Sequence, residues 1–178
     1  MPDIVEVMGR QPQLASPALA EELIRRLAAR GEMIAIAESC TAGLAADTIA
    51  RFPGASRVLW GSFVTYTADA KTRMLGVPKG LIEGHGAVSR PVCLAMAEGA
   101  LAKSGVSWAL SITGLAGPGG AGVPIGTVWI GLAGPAGKGP TAKDFLFRGN
   151  RNEVRAAAVA AGLKELLSRI LTAEEFLV

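Results

Sequence analysis

The chain has 178 residues, the length of a single domain, and a chain of this size buries about 70% of the surface that its unfolded form exposes. Half of the residues are hydrophobic and 19% are charged, which excludes an intrinsically disordered protein. Eighteen basic and fifteen acidic residues leave a net charge of only +3, and aromatic residues make up 5%. We therefore expect no nucleic-acid partner, since such partners require a basic stripe or stacking aromatics.

The side chains that usually bind metals are scarce. Cys40 and Cys93 form neither a CxxC pair nor a disulfide framework, and His85 is the only histidine. This ligand count excludes a structural zinc site and a three-histidine metal centre, so we expect no metal and no other cofactor. The first residues contain no apolar secretory segment, which predicts a cytoplasmic protein.

One uncharged stretch, residues 105–137, is long enough to cross a bilayer. It holds ten glycines and three prolines, which would break a membrane helix in its middle. Two buried strands joined by a glycine loop fit this stretch better, so we expect no membrane association.

The pattern of apolar residues, caps and breakers predicts a lead-in over residues 1–15 and a folded domain over residues 16–178. The first predicted elements are a helix from Ser16 to about Gly31, a strand over Met33–Ala37, a helix over Gly43–Phe52 and a strand over Val58–Tyr66. They are followed by a short helix capped by Thr67, a turn at Leu81–Glu83 and a helix from Ser89 to about Ser104. The last predicted elements are strands over Trp108–Thr113, Thr127–Ala133 and Ala142–Phe147 and a helix from the capping box Asn150/Glu153 to about Leu171. Helices interleave with strands early and a hairpin-like pair comes late. We therefore predict a three-layer α/β/α single domain with a mixed sheet of about five strands.

The first candidate site is the segment Glu38-Ser39-Cys40-Thr41-Ala42-Gly43, which joins a strand to a helix. Ligands of open α/β sheets bind at such strand ends, and free N–H groups there stabilise negative charge. A hydroxyl at this point is a candidate nucleophile. The alternative is that Ser39 or Thr41 only caps the helix.

A serine nucleophile needs a base, and the chain offers two candidates. His85 is the only histidine, and it lies between two glycines in a predicted turn. Lys71 follows the strand that ends at Tyr66 by little more than one helical turn, so both side chains could reach the sheet edge where Ser39 emerges. A lysine acts as a base only when burial or nearby positive charge lowers its pKa. The alternative is that Lys71 is a surface lysine and Tyr66 a core aromatic.

Two further segments are suited to anions. The glycine run 114–122 leads into a strand, so it matches neither a dinucleotide-binding fingerprint nor a Walker A loop, yet its N–H groups are free to face an anion. Arg148 and Arg151 lie at the start of the last helix, where an arginine suits a phosphate or carboxylate. A plain hairpin connection and a solvated helix cap are the alternatives.

Ten short motifs in fixed order resemble the C-terminal domain of the competence/damage-inducible CinA family, and the resemblance covers roughly residues 16–171. They are Ala37-Glu38-Ser39-Cys40-Thr41, Phe63-Val64-Thr65-Tyr66, Ala70-Lys71, Leu75-Gly76-Val77, His85-Gly86-Ala87-Val88-Ser89, Met96-Ala97-Glu98-Gly99-Ala100, Thr113-Gly114, Ala116-Gly117-Pro118, Gly126-Thr127-Val128-Trp129 and Gly149-Asn150-Arg151. The family usually reads Ser-Cys-Thr-Gly-Gly at the first site, whereas Ala42 stands at the fourth position here. The glycine loop also looks shorter before Pro124 than in relatives.

The resemblance implies an enzyme that hydrolyses the carboxamide of nicotinamide mononucleotide to nicotinate mononucleotide and ammonia, with this small-molecule nucleotide as its partner. It implies Ser39 as the nucleophile, with Tyr66 and Lys71 as proton-transfer partners. The expected substrate-binding residues are Thr41, Gly43, Thr113, Gly114, Gly117, Gly119, Gly120 and Arg151. We assign the phosphate to the glycine loop or Arg151 because both suit an anion.

Two other hypotheses remain at this point. In one, Cys40 with His85 is the catalytic pair of a thiol amidase. In the other, the domain binds a nucleotide without turnover and serves competence or the DNA damage response. The Ala-rich helix over Arg155–Leu171 favours a homodimer or higher homo-oligomer, although its apolar face could instead cover the sheet.

Overall fold

A computed structural model describes residues 5–6, 17–118, 122–135 and 139–175 of the chain. The helices are α1 (Pro17–Arg30), α2 (Leu44–Ala50), α3 (Ala68–Leu75), α4 (Lys79–His85), α5 (Arg90–Ser104) and α6 (Arg151–Glu175). The strands are β1 (Val5–Glu6), β2 (Ile34–Glu38), β3 (Leu59–Val64), β4 (Trp108–Gly114), β5 (Thr127–Ala133) and β6 (Thr141–Leu146). A single 3₁₀ turn, Ala55–Arg57, precedes β3.

The strands form one mixed sheet in the order β1-β6-β5-β4-β2-β3. Strand β2 runs parallel to β3 and β4, whereas β5 is antiparallel to both β4 and β6. The predicted mixed sheet of about five strands is thus confirmed, with one addition at its edge. Val5–Glu6, within the predicted lead-in, pairs in parallel with Phe145–Leu146 as β1.

Two hydrophobic clusters, one on each face of the sheet, give the predicted three layers. Helices α1, α2 and α6 cover large side chains such as Ile36, Leu110 and Ile112. Helix α5, with α3 and α4 packed against it, covers small ones such as Ala37 and Ala109. Because side chains alternate between faces along a strand, the sequence of β2 and β4 itself sorts large residues to one layer and small residues to the other.

The apolar face of α6 covers the sheet, so this face does not itself indicate a homo-oligomer, and the oligomeric state stays a prediction. Val154, Ala158 and Leu163 are buried, and a Cβ at Gly162 would lie 3.1 Å from Ile112 Cδ1. The predicted capping box is present at its start, since the Asn150 N–H donates to Glu153 Oε2 at 2.7 Å and the Glu153 N–H donates to Asn150 Oδ1 at 3.1 Å.

One helix start differs from the prediction in its details. Ser89 precedes α5 with extended backbone, but its hydroxyl donates to Gly86 O instead of capping the helix. The predicted capping residue Ser16 lies outside the described residues. Over the described part of the chain, no helix combines the length and the apolar character needed to cross a bilayer.

Candidate active site

Ser39 is the first residue after β2, at the carboxyl end of the strand. Its N–H donates to Ile112 O at 2.9 Å, which extends the β2–β4 ladder by one bond and fixes the start of the loop over residues 39–43. This loop, which we call the nucleophile loop, connects β2 to α2. The serine therefore emerges at a strand end, as the sequence predicted; the strand lies between two others, and the residue is 8% exposed.

Lys71 and Ser39 lie in direct contact. Lys71 Nζ lies 2.9 Å from Ser39 Oγ and donates to Thr65 O at 2.8 Å. The lysine residue is only 1% exposed, so the alternative of a surface lysine is wrong. Among the described residues, Lys71 is the one predicted site residue whose side chain makes a hydrogen bond to the Ser39 hydroxyl.

Burial lowers the pKa of the Lys71 ammonium from 10.5 to about 8, because the charged form loses its hydration. A lysine with this pKa is neutral in a substantial fraction of molecules near neutral to mildly alkaline pH. The neutral amine has a lone pair with which to accept the hydroxyl proton of Ser39. The contact can therefore act as a nucleophile–base pair.

Local sequence places Lys71 at this point. The Thr67 hydroxyl caps α3 by accepting the Ala70 N–H at 3.1 Å, as predicted, so the helix begins directly after β3. The Thr65 N–H donates to Glu38 O at 2.8 Å, which ties the end of β3 to the end of β2. One turn into α3, Lys71 then points back to the strand ends.

Glu38 holds the other end of the nucleophile loop, a role that sequence reasoning missed. Its buried carboxylate accepts the N–H groups of Gly43, Ala45 and Ala46 at 3.0 to 3.1 Å and the Ser62 hydroxyl at 3.0 Å. The N-terminus of α2 is therefore capped by this carboxylate, and the alternative that Ser39 or Thr41 caps it is wrong. Glu38 is the last residue of β2 and stands six positions before α2, so the usual signal of an acidic residue in the first turn of a helix does not mark it.

Arg155 of α6 is the second residue that sequence reasoning missed. Its guanidinium donates from Nε to Cys40 O at 3.1 Å and from Nη2 to Thr41 O at 2.8 Å. The contacts join positions more than a hundred residues apart, so no local pattern indicates them. They tie the middle of the nucleophile loop to the last helix.

The turn of the loop passes through a left-handed residue. Ala42 has φ 50°, a conformation that glycine adopts at lower cost, and its N–H donates to Ser39 O at 3.2 Å. Within the described residues, the N–H groups of Cys40 and Thr41 make no hydrogen bond to another residue. They are therefore available to a developing oxyanion.

The two predicted substrate-binding residues of the nucleophile loop, Thr41 and Gly43, lie in different environments. Thr41 is fully buried, and its Oγ1 has no hydrogen-bond partner among the described residues. The Gly43 N–H is bound by Glu38, and the glycine has φ 93° as it leads into α2. Contact of either residue with a substrate stays a prediction.

Tyr66 makes no hydrogen bond to Ser39 or Lys71 among the described residues, and it is more exposed than either. The residue is 55% exposed, and its hydroxyl accepts a hydrogen bond from Arg151 Nη1 at 3.4 Å. A Cβ built on Gly117 would lie 3.4 Å from Arg151 Nη2, so this guanidinium also lies over the glycine. Tyr66, Arg151 and Gly117 thus form a second group of predicted residues that the fold brings together.

The remaining predicted residues of the glycine loop have packing roles where the structure describes them. Thr113 is buried, and its hydroxyl donates to Ala87 O at 2.8 Å. A Cβ at Gly114 would lie 2.7 Å from Val128 Cγ2, so this glycine allows β4 and β5 to pack closely. Gly119 and Gly120 lie outside the described residues.

The thiol alternative meets a physical obstacle. Burial raises the pKa of the Cys40 thiol to about 11, so it carries little thiolate near neutral pH. His85 is exposed at the end of α4 and makes no hydrogen bond to Cys40 in the described structure. Within the same residues, no three His, Cys, Asp or Glu side chains form a group that could hold a metal ion.

Comparison with known proteins identifies a family for this chain. The sequence matches the family model of the CinA C-terminal domain over residues 16–170. PncC of Escherichia coli strain K12, named a nicotinamide-nucleotide amidohydrolase, is 41% identical over 155 residues, which cover 86% of this chain and 93% of PncC. A CinA-like protein of Anaeromyxobacter sp. strain K is 47% identical over 150 residues, which cover 83% of this chain but 36% of that protein. The chain thus spans little more than a third of the length of the CinA-like relatives.

A solved structure agrees in fold over nearly the whole chain. The competence/damage-inducible protein CihA of Agrobacterium tumefaciens superposes with a TM-score of 0.83 at 38% identity, covering 91% of this chain and 99% of that one. Sequence, fold and motif order point to the same group of proteins. The chain belongs to the CinA C-terminal domain family.

Proposed function

We propose that this protein is a nicotinamide-nucleotide amidase, which converts nicotinamide mononucleotide to nicotinate mononucleotide and ammonia with Ser39 as its nucleophile. The observation that carries the proposal is the 2.9 Å contact between Ser39 Oγ and the buried amine of Lys71. The substrate is suggested by PncC, which is 41% identical over nearly its full length and is named for this reaction.

The first half of the reaction forms an acyl-enzyme. Neutral Lys71 accepts the hydroxyl proton as Ser39 Oγ attacks the carboxamide carbon, and the carbonyl oxygen takes the negative charge. The N–H groups of Cys40 and Thr41 stabilise this oxyanion. When the C–N bond breaks, the leaving nitrogen takes the proton from Lys71 and departs as ammonia.

The second half releases the acid. Water attacks the acyl carbon while Lys71, neutral again, accepts one of its protons. The tetrahedral intermediate then collapses, the bond from the acyl carbon to Ser39 Oγ breaks, and Lys71 returns the proton to the serine. The acid product leaves as a carboxylate, so the proton of its carboxyl group is released to water.

The phosphate of the substrate is assigned to Arg151. This arginine is exposed, lies at the first position of α6 and reaches over Gly117. A guanidinium beside a helix N-terminus favours a phosphate through charge-assisted hydrogen bonds and the helix dipole. Tyr66 is assigned to contact the substrate and to take part in proton transfer once the substrate is bound; its hydrogen bond to the same guanidinium supports this assignment.

The test is ammonia release from nicotinamide mononucleotide by the wild type, Ser39→Ala, Lys71→Met and the control Cys40→Ala. We expect loss of turnover in Ser39→Ala, a loss of about 10²–10⁴-fold in Lys71→Met, and retained turnover in Cys40→Ala. Each variant is checked for folding by circular dichroism.

Three results would contradict the proposal in different ways. Retained turnover in a folded Ser39→Ala protein would remove the serine as nucleophile. Loss of turnover in Cys40→Ala alone would favour the thiol pair. Binding of the nucleotide without ammonia release by the wild type would favour a non-catalytic nucleotide-binding domain.

A further inference from the structure

All three guanidinium nitrogens of Arg155 donate hydrogen bonds to other parts of the protein. Its three nitrogens donate to Cys40 O at 3.1 Å, to Thr41 O at 2.8 Å and to Asn152 Oδ1 at 3.3 Å. The side chain is half-buried, so its geometry is set by packing as well as by these bonds. A guanidinium whose three nitrogens are already bound is suited to hold backbone rather than substrate.

The carbonyls of Ser39, Cys40 and Thr41 differ in whether a backbone N–H also binds them. Ser39 O accepts the Ala42 N–H, and Thr41 O accepts the Leu44 N–H in addition to Arg155. Within the described residues, Cys40 O is bound by Arg155 alone. The orientation of the peptide between Cys40 and Thr41 therefore depends on this one side chain.

The orientation of that peptide also fixes a donor. In a trans peptide the C=O and N–H bonds point in opposite directions. Because Arg155 holds the Cys40 carbonyl towards α6, the Thr41 N–H is held towards the opposite side of the loop, where it has no partner in the described structure. A charged donor on the carbonyl also polarises the peptide and strengthens its N–H as a donor.

The N-terminus of α2 is not a substitute for this donor. Its N–H groups at Gly43, Ala45 and Ala46 are bound by the Glu38 carboxylate. The unpartnered N–H groups next to Ser39 are therefore those of Cys40 and Thr41, and only the second belongs to the peptide that Arg155 holds.

We propose that Arg155 is a positioning residue that holds the Cys40–Thr41 peptide so that the Thr41 N–H faces the oxyanion formed at Ser39. The inference rests on the proposed serine mechanism and adds a residue that touches neither substrate nor nucleophile. Its loss removes one oriented oxyanion donor, which in other enzymes lowers kcat by about 10²–10³-fold.

The experiment compares kcat and KM of Arg155→Met, Arg155→Lys and the control Lys164→Met, which removes an exposed cation from the same helix. We expect kcat of Arg155→Met to fall about 100-fold with KM changed less than about threefold, because the donor acts in the transition state. Lysine can bind one carbonyl but lacks the planar fork, so Arg155→Lys is expected to recover part of kcat.

The outcomes separate positioning from the alternatives. A kcat of Arg155→Met equal to that of Lys164→Met would overturn the inference. A raised KM at unchanged kcat would overturn it in favour of substrate binding by Arg155. If Arg155→Met does not fold, Arg155→Lys decides, and wild-type kcat in that variant together with a raised KM would count against positioning.

A second readout separates this inference from the proposed function. A small fluorophosphonate reacts with an activated serine: the Ser39 Oγ–P bond forms, the P–F bond breaks, the hydroxyl proton goes to Lys71 and fluoride leaves. The P=O oxygen needs the same donor, so labelling of Arg155→Met is expected to be at least about tenfold slower than that of Lys164→Met. If the wild type releases no ammonia, the proposed function fails, and equal labelling rates would then overturn the role of Arg155 as well.

Discussion

Replacing Lys71 with methionine is expected to remove activity and yet stabilise the protein at pH 7. Burial lowers the pKa of this lysine from 10.5 to about 8, which at 1.4 kcal/mol per pKa unit disfavours its charged form by about 3 kcal/mol. Methionine fills similar space without that penalty. It loses the hydrogen bonds to Ser39 and Thr65, at about 1 kcal/mol each, so the net gain is about 1 kcal/mol.

The stability gained by Lys71→Met must decrease as the pH rises. The pKa of Lys71 is lower in the folded chain than in the unfolded chain, so between about pH 8 and 10.5 the unfolded chain binds more protons. Wild-type stability therefore rises with pH across this window, and the methionine variant has no such group. The difference in unfolding free energy between Lys71→Met and the wild type should therefore fall by about 2 kcal/mol between pH 7 and 9.5 and change sign.

Urea unfolding of the wild type, Lys71→Met and the control Lys164→Met at pH 7, 8, 9 and 9.5 measures this difference. Other titrating groups are common to all three proteins, so they cancel in the comparison. A Lys71→Met protein that differs from the wild type by the same amount at every pH would refute the argument. So would a control that shows the same pH dependence as Lys71→Met.

Three further predictions concern the same loop and its supports. The kcat/KM for ammonia release should rise with pH and reach half its maximum near pH 8, and a flat profile from pH 6 to 9 would exclude Lys71 as the base. Ala42→Gly should raise the unfolding free energy by no more than about 1 kcal/mol in urea, because relief of the φ 50° backbone is partly offset by the freer unfolded chain. Gly99→Ala should lower it by about 1–3 kcal/mol, because the new Cβ would lie 2.1 Å from Leu75 O and force α3 and α5 apart. An unchanged urea midpoint would contradict that close packing.

The parts of the site that follow from strand ends could be predicted from the sequence. Ser39 and Lys71 each come after one of two neighbouring parallel strands, and the carboxyl ends of such strands meet at one edge. The capping box of α6 and the Thr67 cap are patterns of three or four residues, so they too were readable. Periodicity also located most of the longer elements to within a few positions, but the segment predicted as a turn at Leu81–Glu83 is the seven-residue helix α4.

The parts that depend on contacts distant in the sequence were missed. The pattern around Glu38 suggested free N–H groups for a ligand, but the buried carboxylate takes them itself. Arg155 looked like one more cation on an Ala-rich helix, because its partners lie across the fold. Strand β1 has two residues, too few for any alternation to be visible.

Because Arg155 follows Ser39 and Lys71 by many residues in the chain, the parts of the site are synthesised at different times. Strands β2 and β3 and helix α3 leave the ribosome early, so the nucleophile and its base are synthesised close together. The guanidinium that holds the loop arrives only with α6, the last element described. Because a domain folds as a unit, a chain that still lacks α6 would lack both the helix that covers the large side chains of the sheet and the guanidinium that holds the Cys40–Thr41 peptide. On our proposal, the site becomes active only after α6 has docked.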